Sequence, residues 1–381
     1  MHSSTSSSDA AAAWAGPAPA ERVIPERSWA QLAAASALIA LLLLVAWEWH
    51  VRGLGLMPGD LGDFASDWAE ARREVGNDPG QLVILGDSRL LFGTDLGWVE
   101  RLTGRAPVQL SMPGTNAQFL LEQLAADPDF RGVALVSFSE DSSFTGALGP
   151  RALQTNAAFE TFRFESPASR SGHVLHRALS RQLAFLDDNY RLSVLIRRLD
   201  RGARIGAPSP YFMPWKTAVF GDRRNGRLWS RVEVPGPLND HVIAVWLRRP
   251  PALLPEPQRV QEVLDRASRA VAAIRARGGD VIYVRPPTNG PLYERQRTHM
   301  PRNEGWDRLV GALGVAGVHF EDVAAMQGLD LPEYSHVSSA CARVFTDAMI
   351  RAVAERIPRV HLKPDAPPLL GPADCARRSP D

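Results

Sequence analysis

Ser88 lies in a Gly86-Asp87-Ser88 turn directly after the apolar run Leu82–Leu85. A glycine there lets the chain turn sharply and lets another group approach the backbone closely. A serine leaving the carboxyl end of a buried strand sits where open α/β sheets gather their ligands. Its hydroxyl becomes a nucleophile only with a base in hydrogen-bond reach and, usually, a carboxylate that orients the base. His336 can be that base, because it precedes the last long helical pattern, with Glu333 three residues before it in Glu333-Tyr334-Ser335-His336. A carboxylate at that spacing on a turn can reach Nδ1 and set the tautomer. Asp330 is the alternative carboxylate. The plainer readings are a strand-end turn with a capping serine and a helix-start histidine capped by Ser335 or Ser338.

The elements that must position these groups follow from hydrophobic periodicity. Leu82–Leu85 predicts the first strand, residues 107–110 the second and 132–138 the third; 280–284 and 315–320 predict two more. Helical patterns lie between them, at 94–102, 116–126, 260–274 and 306–313, and the last covers 344–353. Strands alternating with helices imply about five parallel strands with helices on both faces, an α/β architecture of three αβα layers. The alternation stops over residues 139–252, a large insertion after the third strand. Residues 173–199 look helical and Arg-rich there, and Tyr211, Phe212, Trp215, Phe220, Trp229 and Trp246 follow. So long a stretch is not a passive loop. It reads either as a lid or substrate-binding region or as a structural excursion whose aromatics fill their own core.

Residues 29–49 are apolar enough for a single spanning helix and are bracketed by Trp29, Trp47 and Trp49, as interfacial tryptophans would be. A small-x-small cleavage site does not follow, so an uncleaved anchor is expected rather than a signal peptide. Arg22 and Arg27 precede the span and Arg52 follows it, which slightly favours a cytoplasmic amino side and an extracytoplasmic main domain. Residues 1–28 are expected to be a disordered cytoplasmic segment. Residues 50–65 read as a linker, 66–362 as the main domain and the Pro-rich 363–381 as a disordered tail.

The chain resembles the SGNH, or GDSL-type, hydrolase superfamily. Gly86-Asp87-Ser88 matches its first block, Gly114 in Ser111-Met112-Pro113-Gly114-Thr115-Asn116 sits at the second-block oxyanion glycine, and Glu333-x-x-His336 matches the last block with Glu for Asp. The resemblance covers roughly residues 82–138 and 281–353. It implies a flavodoxin-like sheet, Ser88 as nucleophile, His336 as base, Glu333 as its carboxylate, and backbone N–H groups of Ser88 and Gly114 as oxyanion donors. The amino-terminal anchor resembles the layout of membrane-anchored envelope SGNH-like proteins, among them the alginate-acetylation type. One block departs: the family's Gly-x-Asn-Asp reads Ser137-Phe138-Ser139-Glu140-Asp141 here, without the asparagine. Asn116 or Ser139 is expected to substitute, since losing one oxyanion donor can cost about 10²–10³ in rate. Arg89 and Arg285, both at strand carboxyl ends, are candidates for holding an anionic sugar, against the alternative of salt bridges.

Composition narrows the field further. A net charge of +1 over 381 residues gives no pull toward nucleic acid. No Cys/His cluster has zinc spacing, no Gly-Lys-Ser/Thr marks a phosphate loop, and neither metal nor cofactor is expected. Cys341 and Cys375 support a disulfide only weakly. The function expected is a serine esterase or O-acyl (acetyl) transferase acting on envelope or exopolysaccharide carbohydrate esters. Its partners would be the membrane and either a carbohydrate ester or an acyl-donor membrane protein. The competing expectation is a catalytically silent domain that binds polysaccharide or scaffolds an envelope complex.

Overall fold

A computed structural model describes residues 27–191, 194–196, 214, 216–249 and 253–375. The expectations for residues 1–26 and 376–381, and for Tyr211, Phe212 and Trp215, lie outside the described residues. The chain divides into two units, Met1–Trp47 and Glu48–Asp381. The chain is helical from Trp29, and the 25-residue helix Trp29–Gly53 is long and apolar enough to cross a membrane, its most apolar 18 residues having a mean hydropathy of 2.2.

The second unit is built on a sheet whose strands are β1 (Leu82–Leu85), β2 (Val108–Gln109), β3 (Val133–Ser137), β6 (Asp280–Arg285) and β7 (Ala316–His319). A separate antiparallel hairpin, β4 (Ala218–Phe220) and β5 (Gly226–Leu228), lies between β3 and β6 in sequence. The main sheet is parallel throughout, in the order β2-β1-β3-β6-β7. Its near-continuous apolar strands follow from burial on both faces. Successive side chains point to opposite faces. Val83, Leu85, Ala134 and Val136 therefore join one core with helices Ala117–Ala125, Pro257–Ala276 and Trp306–Leu313. Leu82, Ile84, Val133 and Leu135 join the other, with helices Leu96–Thr103 and Ala342–Arg356. Each fully buried aliphatic side chain here contributes about 1.5–3 kcal/mol.

The region 139–252 is more regular than its sequence suggests. It forms helices Ala152–Phe164, Pro167–Ser180 and Pro237–Arg248 besides the hairpin. Part of it joins the sheet core: Phe144 and Ala158 belong to that core, and Phe159 and Phe162 pack against Trp68. The stretch read as a linker is also structured. Leu56, Asp60 and Leu61 are buried, and the Glu48 carboxylate accepts the Ala184 and Phe185 N–H groups at 3.0 and 2.9 Å.

The carboxyl-terminal stretch departs from expectation as well. A disulfide joins Cys341 to Cys375. Between them Lys363 N donates to Leu102 O at 2.8 Å and Leu370 N to Asp347 Oδ2 at 3.0 Å. Residues 363–375 are therefore part of the fold, because a covalent tie and fixed backbone partners offset the entropy of ordering a Pro-rich segment. Replacing Cys375 by serine should lower the unfolding free energy by about 2–4 kcal/mol. Urea titration checks this, and a midpoint unchanged by the substitution or by reductant would refute it.

Candidate active site

β1 ends at Leu85, and Gly86 must then pass the neighbouring strand. A Cβ at Gly86 would lie 2.8 Å from the Ser137 Cβ and 3.2 Å from the Leu90 Cβ, so a larger residue forces the turn apart. Gly86 O accepts the Met112 N–H at 2.8 Å, which carries the β2 chain past the end of β1 and brings Gly114 to the same edge. Asp87 caps the helix Ser88–Gly93 by accepting the Arg89 N–H at 3.0 Å. The cap is thus aspartate, which leaves the Ser88 hydroxyl for another partner.

That partner is His336, whose Nε2 lies 2.8 Å from Ser88 Oγ. On the far side of the ring Nδ1 lies 2.6 Å from Glu333 Oε1, and the same oxygen accepts the His336 backbone N–H at 2.7 Å. Nδ1 therefore carries the proton and Nε2 presents its lone pair to Ser88. The other carboxylate oxygen, Oε2, accepts the Trp246 indole N–H. Asp330 is exposed and its carboxylate is not part of this chain. The fold-back from Glu333 to His336 needs a left-handed residue: Tyr334 has φ 72°. A non-glycine residue there costs of order 1 kcal/mol or more, and the surrounding contacts must hold it. Asn289 N donates to Tyr334 O at 3.1 Å, and Leu331 O accepts the Tyr334 N–H at the same distance.

The two arginines expected to face substrate are spent inside the protein. Arg89 is buried and donates to Ser335 Oγ (3.2 Å), Ser139 Oγ (3.0 Å) and Asp141 Oδ2 (3.2 Å). It thereby ties the loops after β1 and β3 to the loop carrying His336. Arg285 is 1% exposed and donates to Glu140 Oε1 (3.0 Å), Thr288 Oγ1 (2.9 Å) and Gln296 Oε1 (3.1 Å). Both are positioning residues: a buried guanidinium needs several acceptors, and these loops supply them.

The proposed asparagine substitute is also engaged elsewhere. Asn116 Oδ1 caps the helix Ala117–Ala125 by accepting the Gln118 N–H at 3.0 Å, and Nδ2 donates to Ser142 O at 2.9 Å and Ala147 O at 3.3 Å. The Ser139 hydroxyl accepts from Arg89, and its N–H donates to Ser143 Oγ at 3.0 Å. The Ser88 and Gly114 N–H groups, by contrast, have no acceptor among the described residues. Both can therefore donate to a further group, and Gly114 is held at φ 63°.

Two further groups surround the histidine. The Phe92 ring centroid lies 5.1 Å from that of His336, and Trp246 lies 5.8 Å away on the inserted helix Pro237–Arg248. The helical spacing of Val242, Val245 and Trp246 could have marked a packed helix, but nothing in sequence tied it to Glu333. The arrangement can activate a hydroxyl: His336 takes the Ser88 proton and Glu333 stabilises the resulting imidazolium. No protein-family model matches the chain, and no curated protein matches its sequence.

A cavity of about 110 Å³ adjoins the site, lined by Phe92, Pro113, Arg151, Phe220, Asp188 and Lys216. Lys216 is buried and bridges the Asp60 and Asp187 carboxylates. Loss of hydration pushes the Asp188 carboxyl up from 3.8 to about 7, against the pull of Arg191. A carboxyl whose folded pKa is raised holds its proton more tightly when folded. Its stabilising contribution is full below the unfolded value and is lost as pH rises through about 7. Asp188→Asn should therefore gain stability relative to the unsubstituted protein between pH 4 and pH 8. Parallel melting-temperature profiles for the two proteins across that range would exclude this.

Proposed function

We propose that this protein is a membrane-anchored serine ester hydrolase or O-acyltransferase of SGNH type, acting on carbohydrate esters of the cell envelope. The Ser88–His336–Glu333 hydrogen-bonded chain carries the reading. Two observations add to it. The strand order, with β1 between β2 and β3, supports a flavodoxin-like layout. The resemblance of the Gly-Asp-Ser and Glu-x-x-His blocks points the same way.

In this mechanism Ser88 Oγ attacks the ester carbonyl while His336 Nε2 takes its proton. The Ser88 and Gly114 N–H groups receive the oxyanion. His336 then protonates the departing alkoxide, leaving an acyl group on Ser88. Water or a sugar hydroxyl, deprotonated by the same imidazole, takes the acyl group and regenerates the serine. The full chain in detergent should be labelled by a fluorophosphonate probe, and Ser88→Ala should abolish the labelling.

The engagement of Asn116 favours one rival, a silent domain that binds polysaccharide, because its amide N–H groups are already spent on Ser142 O and Ala147 O. Absence of labelling, with glycan binding unchanged in Ser88→Ala, would select that rival.

We place the second unit outside the cytoplasm. The Cys341–Cys375 disulfide supports this, since such bonds persist in oxidising compartments, as does the arginine distribution around the span. Alkaline phosphatase fused after Asp381 should be active in bacterial cells. A fusion active only as a cytoplasmic reporter would overturn the placement.

A further inference from the structure

We infer that Arg151 and Arg249 form an anion clamp at the mouth of the Ser88–His336–Glu333 site, so that the ester substrate carries a carboxylate close to the scissile bond. This rests on the ester-chemistry reading above and names its substrate class.

The other cations around the site are consumed. Arg89 and Arg285 hold loops together, and Lys216 bridges two aspartates. Arg224 chelates Asp63, and Arg295 donates to the Trp246, Leu247 and Arg249 carbonyls. The Arg151 and Arg249 guanidinium groups make no hydrogen bond or ion pair among the described residues.

Both reach the site through groups already placed there. The Arg151 stem runs beside Gly114, where an added Cβ would lie 3.4 Å from the Arg151 Cγ. The same side chain lines the cavity containing Phe92, whose ring packs on His336. Arg249 lies over the Trp246 ring, its guanidinium carbon 4.7 Å from the centroid. Trp246 in turn packs on His336 and donates to Glu333. One arginine thus flanks the oxyanion side and the other flanks the base.

Their charges act on each other. Arg249 is exposed, yet lost hydration lowers its pKa; Arg151 and Arg295 add same-sign repulsion, and Asp141 partly offsets it. Arg151 is exposed as well, yet lost hydration also lowers its pKa, with Asp63 opposing. An anion between two guanidiniums relieves the repulsion and takes paired N–H donors. Asp63 and Asp141 oppose a second negative charge, which favours a monoanionic carboxylate over a dianionic phosphate.

Three esters test this on the full chain in detergent: phenyl acetate, 3-acetoxybenzoate with the carboxylate on the alcohol side, and monophenyl succinate with it on the acyl side. At least one anionic ester should exceed phenyl acetate in kcat/KM by about tenfold or more. In Arg151→Gln/Arg249→Gln that ratio should fall toward one. A ratio near one in the unsubstituted protein, or one that survives in the double variant, overturns the clamp and leaves the hydrolase reading standing. If no ester is turned over, the hydrolase reading fails and the clamp is judged by calorimetry. Ser88→Ala should bind 3-acetoxybenzoate, and the two glutamines should weaken that binding about tenfold or more. No binding, or binding indifferent to the glutamines, refutes the clamp.

Discussion

Glu333 is 0% exposed, and a carboxylate in that position costs several kcal/mol unless every lone pair it presents is met. Here the His336 backbone, the His336 ring and the Trp246 indole all donate to it. Each donor belongs to a segment with its own anchors. Tyr334, at positive φ, folds the loop so that one oxygen meets two donors of His336. The inserted helix Pro237–Arg248 carries the third. The carboxylate thus makes the geometry of the 333–336 turn and the inserted helix interdependent, and the imidazole inherits its tautomer and orientation from that constraint. An aspartate at position 333 would be one methylene shorter, and the Trp246 contact would open; the glutamate and the insertion suit each other.

Arg89 and Arg285 extend the same logic along the carboxyl edge of the sheet. A guanidinium offers five N–H donors in a fixed plane and needs acceptors on several sides when buried. Arg89 finds them in the loops after β3 and before the last helix, and Arg285 in the loops after β3 and β6. Loops that must supply acceptors to a common cation cannot drift independently. The histidine loop is held to the serine turn by this buried polar framework as well as by packing. Arg151 and Arg249 differ in kind, since their heads lack such acceptors among the described residues.

Residues 139–252 show why an insertion without strand–helix alternation is hard to interpret from sequence. Its helices pack on the sheet domain through Ala158, Phe159 and Phe162, and its hairpin brings Phe220 against Phe92. The apolar residues were visible, but their partners lie far away in the chain. A periodic pattern tells which face is buried and not what it is buried against. The same limit applies to the tail, where Pro-rich composition suggested disorder and the bond to Cys341 and the Leu102 and Asp347 contacts decided otherwise.

The five strands of the sheet, their parallel pairing and the pairing of Ser88 with a Glu333–His336 turn were legible from local signals. Each depends on short-range pattern: an apolar run ended by Gly86, helices between strands, a carboxylate three residues before a histidine. The choice of Glu333 over Asp330, the inward use of Arg89 and Arg285, and the engagement of Asn116 depend on which groups meet across the fold. Type and position near a strand end are the same for an arginine that binds substrate and one that ties loops. Only tertiary structure shows whether its acceptors are already supplied by the protein, and a buried polar group takes whatever partners the packing brings within hydrogen-bond distance.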